Sequence, residues 1–147
     1  MRAYIDLNTG FLTAALGATA GISGLNFKRG ADNSLEVQFF RDRTPVELTS
    51  DATGRFQMKP QGKYDAPPLI NADSWTKTGM DEDTVYTFSF SFITGALDSL
   101  FQVDDDPDND VPEITLMAEI EWTSNRLTGK TQTFSAVIEN DINRDHD

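Results

Sequence analysis

The side chains able to do chemistry are few, and most are acids. Asp104, Asp105, Asp106, Asp108 and Asp110 crowd one short stretch with Pro107 and Asn109. Carboxylates at 104, 106 and 108 imitate the opening of a calcium loop, where hard oxygens converge on the cation. The remainder of such a loop is missing: its sixth position is Asn109 rather than Gly, and its twelfth is Thr115 rather than a bidentate Glu. The stretch reads first as a solvated acidic connector. Calcium or another divalent ion held by Asp104, Asp106, Asp108 and Asp110 is the alternative.

Glu119 and Glu121 lie two apart on one predicted strand, which sets their carboxylates on the same face about 6–7 Å apart. A pair at that distance suits glycoside hydrolysis. Acid–base division of labour needs contrasting environments, however, and nothing near them in sequence supplies one. They read as acids on the wet face of a half-buried strand. There is no cysteine, and the single histidine is the penultimate residue, His146. Thiolate chemistry, Cys-ligated zinc and disulfides are excluded, and a histidine base nearly so. Gly21-Ile22-Ser23-Gly24 lacks the spacing of a nucleophile elbow, and no phosphate-binding glycine loop is present. The expectation is a protein with no catalytic residues and no resident cofactor.

The elements that position these groups are strands. Tyr86, Phe88, Phe90 and Phe92 alternate with Thr87, Ser89 and Ser91, a period of two that places aromatics on one face and small hydroxyls on the other. Ile114, Leu116, Ala118, Ile120 and Trp122 form a second run, and Phe134, Ala136 and Ile138 a third. The turn-rich connector at 124–130 predicts that these two pair as an antiparallel hairpin. Leu35, Val37 and Phe39 form a further strand, and residues 55–59 another, closed by Pro60. One segment, 95–101, reads as a short helix capped by Thr94. The predicted fold is all-β: an antiparallel β-sandwich, Ig-like or jelly-roll-like, in a single domain over 1–141, with a polar tail or linker stub at 142–147.

Charge bounds the partners. Twelve basic residues against 24 acidic ones give a net charge of −12, which repels phosphate backbones and anionic membranes. Nucleic acid is therefore not an expected partner. No stretch is long enough to span a bilayer, so membrane insertion is not expected. If Leu35, Val37 and Phe39 point inward, Phe40 points outward, and the same parity turns Met117 and Val137 out of their strands. Together these three would make an apolar patch for self-association or a partner. Trp75, in the polar run Asp73-Ser74-Trp75-Thr76-Lys77, reads as partial core or a loop anchor, or as a contact platform of the kind that stacks on sugars.

The order of motifs is also informative. Residues 25 to 48 read LNFKRGADNSLEVQFFRDRTPVEL. They are followed by a strand ending in Met58-Lys59, then Gly62-Lys63-Tyr64-Asp65 and Trp75-Thr76-Lys77. The chain closes with Met117-Ala118-Glu119-Ile120-Glu121-Trp122 and Val137-Ile138-Glu139-Asn140-Asp141. This arrangement resembles the N-terminal domain of phage baseplate upper proteins and related tail-fibre proteins. The resemblance implies a β-sandwich of a phage or prophage tail, with no catalytic residues. Such a module anchors a receptor-binding fibre, partners other tail or baseplate subunits as a homo-oligomer, and resides in the virion. The alternative is a surface or secreted sandwich that binds carbohydrate or another ligand, with calcium assisting.

Overall fold

Inward apolar residues alternating with outward polar ones build the long strands of a computed structural model, which describes residues 1–18, 20–30, 32–92, 97, 100, 101 and 111–140. In chain order the strands are β1 (Arg2–Asp6), β2 (Leu12–Thr13), β3 (Gly24–Lys28), β4 (Asn33–Arg41), β5 (Thr44–Val46) and β6 (Thr53–Pro60). They continue as β7 (Ile70–Ala72), β8 (Thr76–Thr78), β9 (Val85–Phe90), β10 (Glu113–Ser124), β11 (Leu127–Lys130) and β12 (Phe134–Glu139). A 3-10 turn at Asp81–Asp83 precedes β9.

The described strands form two six-stranded sheets packed face to face, so the all-β sandwich expectation holds. The first sheet is ordered β2-β1-β4-β9-β8, with β5 also on β4. The second is ordered β3-β12-β10-β6-β7, with β11 also on β10. The sheets are mixed rather than purely antiparallel, because β1 pairs with β4 in parallel and β3 pairs with β12 in parallel. A parallel pair needs a crossover connection. Here β2 and β3 intervene between β1 and β4, and β3 and β12 are separated by most of the chain.

The core between the sheets is an aromatic lattice. Phe56 of the second sheet meets Phe88 and Phe90 of the first at ring-centroid distances of 5.8 and 5.3 Å, and Phe39 meets Trp122 edge-on at 5.1 Å. Such tilted and edge-on pairs add stability of about 0.5–1.5 kcal/mol each beyond the area they bury. The runs 86–92, 114–122 and 134–138 point inward as their period requires. Of the short helix expected at 95–101, only Leu97, Leu100 and Phe101 are among the described residues; Leu97 and Phe101 are buried and Leu100 is exposed.

The expected hairpin between the second and third runs needs refinement. Its connector itself pairs: Asn125 and Arg126, at φ 52° and 65°, make a tight turn from β10 into β11. Ala118 then pairs with Phe134 while Glu121 pairs with Lys130, so Glu119 and Ile120 oppose Thr131, Gln132 and Thr133. That one extra residue is a β-bulge. It is held by the Thr131 N–H donating to the Ile120 carbonyl (2.9 Å) and by the Ile120 N–H donating to Thr131 Oγ1 (3.0 Å).

Candidate functional site

The parity of β10 divides the expected patch between two faces of the molecule. Met117 and Val137 both lie on the outer face of the second sheet: Met117 is paired with Ser135 and Lys59, and Val137 with Thr115 and Asn26. Phe40 belongs to the first sheet and is only 1% exposed. It does point away from the core cluster, but that position is covered rather than open. Phe40 is flanked by Asp6 on β1 and Pro45 on β5, and the 3-10 turn packs against β5. Phe40 is therefore not an interface residue, and the three-residue patch does not exist as such.

What the second sheet presents, among the described residues, is a ladder of charge with a recess at Met117. The register places Glu113, Glu119, Glu121 and Glu139 on its outer face with Lys28, Arg55, Lys59 and Lys130. Among the described strand residues, four acids thus stand against four bases on this face, in a protein of net charge −12. Arg55 pairs with Glu121 at 3.4 Å and Lys130 with Glu119 at 3.2 Å. The two glutamates that resembled a catalytic pair are thus each tied to a cation across the ladder, and no contrast of environment separates them.

Met117 floors a cavity of about 120 Å³ walled by Gln57, Lys59, Glu119, Lys130 and Thr133. It is 8% exposed, and Tyr64 lines the same cavity. Lys59 Nζ donates to the Tyr64 carbonyl at 2.8 Å, fixing that loop to β6. Tyr64 itself is 67% exposed, a large aromatic standing in solvent at the rim of this recess. Sequence reasoning missed Tyr64 and Lys59 here. The signal available was Tyr64 in the polar turn Gly62-Lys63-Tyr64-Asp65, where an aromatic has no core to fill.

Trp75 lies elsewhere, at one end of the sandwich. The connection 47–52 crosses from the first sheet to the second, and the connection 73–75 crosses back. Between them is a cavity of about 300 Å³ lined by Thr49, Ser50, Ala52, Thr53, Gly54, Asp73, Ser74, Trp75, Lys77 and Tyr86. The Trp75 ring centroid is 4.4 Å from that of Tyr86 and 5.5 Å from that of Phe88. Half-buried Trp75 is therefore partly core, as one of its two readings required, and it also lines an open cavity. Buried Tyr86 accepts a hydrogen bond from the Leu48 N–H at 2.9 Å, and burial pushes its hydroxyl pKa up. Lys77 hydrogen-bonds Glu47, which lowers the Glu47 pKa and raises that of Lys77.

Asp104, Asp106, Asp108 and Asp110 lie outside the described residues. Among those described, no group of three or more His, Asp or Glu side chains is placed to hold a metal ion, and no helix is long and apolar enough to cross a membrane.

No protein-family model matches the chain, and no curated protein matches it. Among the solved structures it is similar to are the following two. One is the N-terminal domain of phage TP901-1 ORF48, at 12% identity and a TM-score of 0.43, covering 95% of this chain and 97% of that one. The other is murine CRIg, at 6% identity and a TM-score of 0.33, covering 82% and 94% respectively.

Proposed function

We propose that this chain is a non-enzymatic assembly module of a phage or prophage tail or baseplate, and that it docks through the outer face of its second sheet onto a second copy of itself. The observation that carries the docking surface is exposed Tyr64 at the Met117 recess, on a face whose described strands carry four acids and four bases. A two-fold contact must be self-complementary. Acids and bases in equal number among the described strand residues allow opposite charges to meet across such a contact, whereas the chain as a whole would repel its copy. The aromatic side chain and its recess supply the kind of anchor and socket on which interface energy concentrates.

The phage assignment rests on the motif resemblance. Three of its segments contribute residues to the recess, namely Lys59, Tyr64 and Met117 to Glu119. In this reading the module anchors a receptor-binding fibre among other tail subunits in the virion, and it acts by rigid presentation rather than chemistry.

The test is solution mass by light scattering across a concentration series, with and without calcium, for the wild type and for Tyr64→Ala and Val137→Lys. A defined oligomer that calcium does not alter, and that both variants reduce, is the expected result. A wild type that stays monomeric at every concentration removes the docking proposal. A calcium-dependent rise in Tm would instead favour a cation at the 104–110 stretch.

A further inference from the structure

We infer that the docking face receives the Tyr64 ring of the second copy in an apolar groove at its β12 edge, so that each copy inserts its own Tyr64 into the other. The inference rests on the self-docking reading and adds to it a socket and the direction of the two-fold axis. The Met117 recess, at about 120 Å³, falls short of the roughly 150 Å³ that encloses a benzene ring. The chain's own Tyr64 already lines it. It admits the edge of a side chain, and a whole ring needs more room.

That room lies beside it. A groove of about 360 Å³ has Phe11, Leu12, Ile22 and Phe134 as its apolar lining. Leu12 and Phe134 are buried, whereas Phe11 is 36% exposed, an aromatic in contact with water as Tyr64 is. The Phe11 ring packs on the backbone beside it: a Cβ added to Gly21 would lie 3.2 Å from its Cγ. Ser23 and Gln132 are exposed and also line the groove, offering partners to a phenol hydroxyl, which usually finds one when buried.

Continuity and charge select a second copy as the occupant. Thr133 lines the groove and the Met117 recess alike, so the groove continues the docking face. From Leu7 to Phe27 the sequence holds no Asp, Glu, Lys or Arg, and none of the residues lining the groove is charged. A chain of net charge −12 meets least repulsion from its copy over such a segment.

The strand order then fixes the axis. Ala118 of β10 pairs with Met58 of β6 on one side and with Phe134 of β12 on the other. Tyr64 is tied to the β6 side through Lys59, and the groove lies on the β12 side. A two-fold axis along β10 exchanges the two sides, which carries the Tyr64 of each copy over the groove of the other. The same axis brings the Arg55–Glu121 pair of one copy near the Lys130–Glu119 pair of the other, and each pair is neutral in itself.

The chain has no cysteine, so introduced thiols report the contact directly. The experiment mixes the full chain carrying Lys63→Cys with the full chain carrying Ser23→Cys under a mild oxidant. The expected result is a disulfide-linked dimer in the mixture and none from either variant alone. In light scattering, Phe11→Ser and Tyr64→Ala are each expected to weaken self-association about tenfold, as loss of an interface anchor does, with Tm unchanged. The double variant is expected to lose little more than either single one, because the two rings meet. Lys63→Cys linking to itself would bring the two Tyr64 loops together and overturn the inference while leaving self-docking intact. So would Phe11→Ser associating as tightly as the wild type where Tyr64→Ala does not. A wild type that never associates leaves the groove to a different partner and overturns both conclusions.

Discussion

Trp122 lies against Gly129 across the β10–β11 ladder, so close that a Cβ at position 129 would come within 2.3 Å of the indole Cε2. On the opposite side of β10, the residue paired with Trp122 is Gly54, over which Trp75 lies. Two glycines on the strands either side of β10 thus make room for the two tryptophans of the chain. We expect Gly129→Ala and Gly54→Ala each to destabilise the fold by about 1–3 kcal/mol, the range for forcing extra methylenes into a packed core. Urea midpoints would measure it, and an unchanged midpoint for Gly129→Ala would show that the indole moves aside at no cost.

The two hairpin tips carry a different strain. Asp42 and Arg43 join β4 to β5, and Asn125 and Arg126 join β10 to β11, all four at positive φ. Two-residue hairpin turns of this hand favour Asn-Gly, because glycine alone enters the left-handed region without a steric penalty. Arg126→Gly converts the second tip to that sequence. The substitution is expected to raise stability by about 1 kcal/mol, the lower end of the left-handed penalty for an L-residue. A thermal melt checks it, and a lowered Tm would mean that the Arg126 side chain stabilises the fold by more than its backbone strain.

How far the fold was legible depended on what covers each face. The runs 86–92, 114–122 and 134–138 were readable because an aromatic or branched residue at every second position has one place to go. Phe40 was misread by the same rule, which treats the outward face of a strand as solvent. Nothing local to residue 40 says that its outward position will be covered. The bulge at 131–133 and the strand β11 were hidden in a stretch whose Ser, Asn and Gly read as a loop. Parallel pairing of β1 with β4 and of β3 with β12 is a long-range fact to which periodicity is blind. For the candidate sites, Trp75 and Met117 were found by residue type and parity. Ser50, Thr53, Lys59 and Tyr64 became visible when separate segments were brought together.

The correction at Phe40 makes an expectation of its own. Phe40→Asp places a charge at a fully covered position and should unfold the protein rather than dissociate it. Phe40→Ala should cost about 3–5 kcal/mol, as for other buried phenylalanines. Tyr64→Ala, by contrast, removes an exposed ring and should leave the urea midpoint nearly unchanged. If Phe40→Ala melted like the wild type while lowering the oligomer mass, Phe40 would have to return to the interface.

Stability should fall at both ends of the pH scale, for separable reasons. The carboxyls of Glu47 and Asp51 are held below their ordinary values: Glu47 first by the hydrogen bond from Lys77 and then by the Asp81 N–H, Asp51 first by the Thr49 hydroxyl and then by the Asn125 N–H. A carboxyl whose pKa is lowered by folding binds fewer protons in the native state. Its contribution is complete above the ordinary values of 4.5 for Glu47 and 3.8 for Asp51, and is lost as pH falls through the folded ones. Tyr86 has the opposite sign, since burial favours its neutral form. Its contribution is complete below the ordinary value of 10.0 and is lost as pH rises through the raised one. We therefore expect Tm to hold a plateau between these limbs. Glu47→Gln should flatten part of the acid limb without touching the alkaline one, and Tyr86→Phe should do the reverse on a lower baseline, because it strands the Leu48 N–H. An acid limb for Glu47→Gln that superimposes on the wild type would show that the Lys77–Glu47 contact contributes nothing to folding, as many exposed ion pairs do.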